Sequence, residues 1–142
     1  MATLFTRIIE GELPGRFVWS DDRCVAFLTI APISPGHTLV VPRDEIDHWI
    51  DADDDLLAHL TAVSRTIGRA VDRAFEPNRV AVIVAGFEVP HLHIHVLGAE
   101  SEHQLRFENA DPTVGSDVLD DHLRRLRAAL VELGHADRVP AT

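Results

Sequence analysis

Residues 89–100 read VPHLHIHVLGAE, setting His91, His93 and His95 at every second position with apolar residues between them. On a helix, side chains two apart diverge by roughly 200° and the imidazoles would scatter; on a strand they share one face. The row therefore predicts a strand over 91–98, imidazoles on one side and Leu92, Ile94 and Val96 on the other, turned toward a packed core. Three histidines in register carry a heavy desolvation cost unless they line a cleft and find partners. Two of them could share a metal with a further ligand, for which His37, Glu88 and Glu100 are the candidates. The outer pair, roughly 13 Å apart on a straight strand, could not meet on one ion. Alternatively, a neutral imidazole could attack phosphorus, flanked by donors that fix its tautomer and hold phosphate oxygens. Repulsion disfavours charging all three rings together, which makes the central His93 the best-placed nucleophile.

Outward from this row, the chain divides into short apolar runs and two amphipathic stretches. RFVWS and CVAFLTI, separated by DDR, predict a hairpin; HTLVVP, after the helix-forbidding APISPG, predicts a third strand. PRDEIDHWI has room for one short helical turn. From 53 to 75 the period changes: Leu56, Leu60, Val63, Ile67, Ala70 and Ala74 line one face of a helix that opens on DADDD, whose acidic side chains cap free N–H groups and oppose the macrodipole. RVAVIVAG predicts a buried strand before the histidine row. A last helix over 117–133 aligns Leu119, Leu123, Leu126, Leu130 and Leu133 and ends before Gly134, a C-cap residue by type. Between the row and this helix, ESEHQLRFENADPTVGSD is polar and reads as a mobile connection. Strands in hairpin order, one long helix, two more strands and a closing helix predict an α+β fold with a mostly antiparallel sheet.

The whole chain bounds the function. With 142 residues, 46% of them hydrophobic, it can form one packed core. Thirteen basic against twenty-three acidic residues give a net charge of −10, which repels the phosphate backbone that dominates nucleic-acid affinity. A small anion stays possible, because backbone N–H groups can build a positive pocket in a negative protein. No stretch approaches the run of about 20 apolar residues that a bilayer span needs. The opening MATLFTRIIEGELPG lacks a signal-peptide pattern, so a cytoplasmic protein is expected. Cys24 has no partner for an internal disulfide and reads as a small buried hydrophobe.

Three elements together resemble the histidine triad (HIT) family. HLHIHVL, residues 91–97, fits the family signature of histidines alternating with apolar residues at every position; ISPGHTLVVP, residues 33–42, is similar to its Pro-Gly-His segment and following strand; and LFTRIIEGELPGRFVWSDDRCVAFLTI follows its N-terminal pattern. The resemblance covers residues 4 to about 100 of a single 1–142 domain, leaving 101–142 as a C-terminal extension. It implies a sheet of about five antiparallel strands, a homodimer, and transfer or hydrolysis of a purine nucleotidyl group at the α-phosphate through a nucleotidyl-histidine intermediate. By the same resemblance His93 is the nucleophile, His91 and His95 contact phosphate and orient the reacting ring, and His37 completes the phosphate site. Leu4, Phe5, Ile8 and Phe27 match positions that enclose the base, and Leu28, Thr29, Gly86 and Val89 complete the implied substrate site.

The departures from the family pattern fall in that site. Thr29 stands where many members have an Asp that binds both ribose hydroxyls, and a neutral hydroxyl makes the weaker acceptor. Phe87 replaces a Gln, the loop before the triad is shortened, and Glu88 stands where some members have a proton-donating Ser. Glu88 could serve as general acid if it faced the site, but reads as solvated. Thr6 occupies one of the N-terminal cysteine positions through which some members hold zinc, so no structural zinc of that kind is expected. The leading expectation is a cofactor-independent hydrolase or nucleotidyl transferase with no metal. Its rivals are a nucleotide-binding protein of the same fold with little turnover and a metalloprotein ligated by two of the row histidines.

Overall fold

The computed structural model describes residues 1–141, so Thr142, at the end of the C-terminal extension, lies outside the described residues. Helix α1 (Leu4–Ile9) precedes strands β1 (Phe17–Ser20), β2 (Cys24–Leu28) and β3 (Thr38–Pro42), the long helix α2 (Asp54–Phe75), strands β4 (Arg79–Ile83) and β5 (Ile94–Ala99), and helix α3 (Ser116–Glu132). The strands form one antiparallel sheet in the order β1-β2-β3-β5-β4. The expected α+β class and five-stranded sheet are both present.

Alternation along β2 assigns the two faces. Cys24, Ala26 and Leu28 enter the main core beneath α2 and α3, while Val25 and Phe27 join Phe5, Leu39 and Val41 in a second cluster under α1. Helix α2 packs on the first face through Leu56, Leu60, Val63, Ile67 and Ala70, all buried, with Ala74 packed against the same core. Its N-cap is Asp53, whose carboxylate accepts from the Leu56 N–H at 2.7 Å, a contact worth about 1 kcal/mol. The helix stops at Glu76, the one non-glycine residue with positive φ among those described. Helix α3 brings Leu126, Ala129 and Leu130 into the same core, so the part of the chain beyond residue 100 completes the main hydrophobic layer. Arg127 ties it to the sheet by donating through Nε to the Phe17 carbonyl at 2.9 Å.

Three local expectations need correction. The strand expected over 91–98 begins only at Ile94, because the backbone groups before it are bonded elsewhere. The Leu92 N–H donates to the Ile46 carbonyl at 2.6 Å, and the His91 carbonyl accepts from the ring of His93. His91 and His93 therefore stand on a tightly bonded approach to the strand, with only His95 on it. The alternation survives even so: Leu92, Ile94 and Val96 all enter the main core. The fourth strand ends at Ile83 and does not continue to Gly86. The polar stretch after the triad, read as a mobile connection, is folded into 3-10 turns at Glu102–Gln104 and Phe107–Asn109, closed by Asn109 Nδ2 donating to the carbonyls of His103 and Gln104. α1 had no counterpart in the sequence reading.

Candidate active site

The α1 face of the sheet carries the histidines. β5 sets His95 opposite Leu39 on β3 and Ile83 on β4. His37 comes from the turn before β3, a position that depends on Gly36. This residue has φ +79°, and a Cβ there would stand 2.5 Å from the Phe75 ring, so both conformation and space demand glycine. The His37 ring is 3% exposed, His91 0% and His93 6%, so each needs partners inside the protein.

Those partners fix the tautomers. The Ile33 N–H donates to His37 Nδ1 at 3.1 Å, so the His37 proton sits on Nε2 and is donated to His95 Nδ1 at 2.9 Å. His95 must then carry its own proton on Nε2. His93 donates from Nδ1 to the His91 carbonyl at 2.7 Å, which leaves its Nε2 with a bare lone pair. His91 donates from Nε2 to the Pro42 carbonyl at 2.7 Å and accepts at Nδ1 from the Thr3 hydroxyl at 2.6 Å. Thr3 is also the N-cap of α1, its hydroxyl accepting from the Thr6 N–H. One residue thus starts the helix and braces the first ring of the row. Phe5, one turn of chain on, meets His93 edge-on with centroids 4.9 Å apart.

Electrostatics favour uncharged rings. Burial pushes the His37 pKa down to about 4. Burial, with the neighbouring His37 and His93, takes His95 down to about 3. His93 is lowered too, chiefly by burial and further by His91, against the opposing pull of its bond to the His91 carbonyl and the Glu88 charge. At neutral pH, then, His93 offers a nucleophilic lone pair beside an N–H donor on His95.

The predicted site residues divide by place. Phe5 and Phe27 pack edge-on at 5.6 Å in the cluster beside the histidines, with Ile8 and Val89 against the same cluster and Leu4 half exposed at its edge. Gly86, with φ +81°, and His93 line a recess of about 220 Å³. Leu28 is the exception: it points through the sheet into the main core and cannot touch a ligand on the histidine face. The Thr29 hydroxyl accepts from the Ala31 N–H at 3.2 Å, which pins it to its own turn. His91 has both nitrogens engaged and none to offer phosphate, so its part is to orient. Glu88 is exposed. The sequence reading missed Thr3, whose signal was a threonine directly before an apolar helical run. It also missed Phe107, the one aromatic residue in a polar stretch, whose ring lies 4.9 Å from that of His95.

One other cluster has metal-ligand residue types: Asp21, Cys24 and His59 bring ligand atoms within 4.8 Å of one another. Its chemistry does not suit a cation. Asp21 Oδ1 accepts from the N–H groups of Arg23 and Cys24, and Oδ2 from Trp19 Nε1 and His59 Nε2, each at 2.8 Å. Burial alone would raise the Asp21 pKa, yet these donors hold it well below the usual carboxylate range. Burial and the Asp21 charge push the Cys24 thiol far up, so it stays protonated.

The antiparallel α+β sheet with its alternating histidines defines a protein of the histidine-triad type. The HIT domain profile matches residues 10–102, and the chain belongs to this family. An uncharacterised HIT-like protein of Saccharolobus solfataricus is 36% identical over 104 residues, covering 70% of this chain and 75% of the relative. The solved structure of a hypothetical histidine triad nucleotide-binding protein from Sulfolobus tokodaii superposes with a TM-score of 0.79 at 26% identity, covering 91% and 92% of the two chains. That of a HIT family hydrolase from Legionella pneumophila gives 0.61 at 30% identity, over 68% and 92%.

Proposed function

We propose that this protein is a nucleotide hydrolase or nucleotidyl transferase that acts at the α-phosphate of a purine nucleotide derivative through an intermediate on His93. The observation that carries the reading is the His93 Nδ1 bond to the His91 carbonyl, which aims an unprotonated Nε2 away from its own backbone. The base packs among Leu4, Phe5, Ile8, Phe27 and Val89, with the sugar and phosphate running past Thr29 and Gly86 toward the histidines. His93 Nε2 forms a bond to phosphorus as the bond to the leaving group breaks, and the departing atom takes the electron pair and a proton from solvent. Water next attacks phosphorus as the N–P bond breaks, its proton passes to solvent, and Nε2 recovers its lone pair. His95 Nε2–H stabilises the phosphate oxygens, held in place by His37. The scheme calls for no cofactor or metal. Nucleotide-binding and hydrolase designations among structurally similar proteins support it.

A second reading, binding with little turnover, draws on Thr29, whose hydroxyl is already committed to Ala31 and lacks a carboxylate's charge. Single-turnover incubation with an adenosine phosphoramidate separates the two. A transient adduct that vanishes in His93→Ala supports the enzyme; tight binding without product supports the rival.

The reading includes a cytoplasmic homodimer. β4 is an edge strand, with Val82 59% and Val84 39% exposed on it and just beyond it, and a groove of about 660 Å³ runs between it and α2 beside Trp49. A second copy would pair the open edge and cover these side chains. Light scattering giving twice the chain mass, and a monomer for Val82→Lys, is the expected result. Among the described residues no helix is long and apolar enough to cross a membrane.

A further inference from the structure

The stretch between the triad and α3 places one side chain against the reactive row. Phe107 lies with its ring 4.9 Å from His95, which lies 4.9 Å from His93, which lies 4.9 Å from Phe5. The four rings make a continuous line across the α1 face of the sheet, with the Phe5 and Phe27 cluster at one end and Phe107 at the other. The segment bearing Phe107 is anchored: the Asp111 N–H donates to the Pro32 carbonyl at 3.0 Å, and the Glu100 N–H to Gln104 Oε1 at 2.7 Å. Even so, Phe107 is 44% exposed, so an apolar ring stands open beside His95.

We infer that Phe107 is a specificity-determining residue that receives the leaving group and favours one with an apolar ring. The inference rests on the nucleotidyl-transfer reading above. With phosphorus at His93 Nε2, the nucleoside is tethered through an ester oxygen and fills the Phe5 end. The leaving group then has the opposite end free, and its wall there is Phe107. Charge narrows the class further. Residues 100–111 hold Glu100, Glu102, Glu108 and Asp111 against Arg106, which itself lies 3.5 Å from Glu108. With His37, His93 and His95 held neutral, a polyphosphate leaving group would meet a net acidic segment whose one arginine, Arg106, is shared with Glu108. An aromatic or alicyclic amine or alcohol would stack on the ring instead.

The test compares nucleoside 5′-phosphoramidates that share one base and differ in the amine, benzylamine against methylamine, with the nucleoside diphosphate as a third substrate. Wild type is expected to prefer the benzylamide over the methylamide by about five- to tenfold in kcat/KM, and to use the diphosphate least. Phe107→Ala should abolish that preference, costing the benzylamide more than the methylamide, and Phe107→Leu should restore part of it. No preference in the wild type, an unchanged preference in Phe107→Ala, or equal losses on both amides would overturn the assignment. Should the wild type turn over neither amide, the proposed reaction falls, and calorimetric binding of the same two amides decides the shelf alone. Tighter benzylamide binding that Phe107→Ala loses keeps it, and equal binding removes it.

Discussion

Among the described residues, two clusters of chemically active side chains lie on this sheet, and only one has a free atom. At the β1–β2 turn, Asp21 gathers the Trp19 indole, two backbone N–H groups and His59, so every oxygen is spoken for and the Cys24 thiol beside it stays protonated. In the triad, His91 has both nitrogens engaged, but His93 and His95 each spend one nitrogen on an internal bond and keep the other without a partner: Nε2 of His93 as a lone pair, Nε2 of His95 as a donor. Histidine thus serves a structural corner in one place and a reactive surface in the other. Hydrogen-bond satisfaction, rather than composition, separates the two.

Substitutions can break this contrast in order of effect. His93→Ala removes the attacking atom, and turnover per folded molecule should fall about 10³-fold or more. If a fully active His93→Ala emerged from steady-state assays, the triad would be no more reactive than the Asp21 corner. His37→Gln weakens the bond that sets the His95 tautomer, and kcat should drop about 10- to 100-fold. Asp21→Asn leaves buried donors without a charged acceptor, and chemical denaturation should show a loss of about 2–3 kcal/mol with kcat of the remaining folded enzyme unchanged. Gly36→Ala should lower stability and activity together, because a side chain at φ +79° is strained and its Cβ would meet the Phe75 ring at 2.5 Å, beside the turn that carries His37.

Acid sharpens the same difference through protons. His37 and His95 have folded pKa values of about 4 and about 3, below the 6.5 of an unfolded histidine. Between these limits the unfolded chain binds more protons than the folded one, so stability is fully present above about 6.5 and is lost as pH falls toward 4. Denaturation across this window should show that slope, reduced in His37→Gln. Asp21 titrates lower still, so its contribution is full above the ordinary carboxylate pKa and is lost progressively as the pH falls below it.

Much of the fold was legible because periodicity reports packing. The faces of α2 and α3 and the alternation of Leu92, Ile94 and Val96 follow from residue spacing alone. Failures came where a backbone group found a partner that spacing cannot show. The His91 carbonyl bonds a side chain and the Leu92 N–H bonds Ile46, so a pattern that reads as strand is not one until Ile94. Leu28 was misplaced for a related reason: a motif names positions, whereas the pleat decides faces, and Leu28 falls on the wrong one. The short helix α1 draws its stability from Phe5 packing and the Thr3 cap, and six residues are too few to show a period.

The proposed chemistry depends most on how protons are shared among these rings. Nitrogen-15 NMR of the imidazoles at pH 7 measures that directly. The prediction is a neutral His93 protonated at Nδ1 with Nε2 bare, and a neutral His95 protonated at Nε2. A His93 that is cationic, or protonated at Nε2, would have no lone pair for phosphorus and would contradict the proposed chemistry.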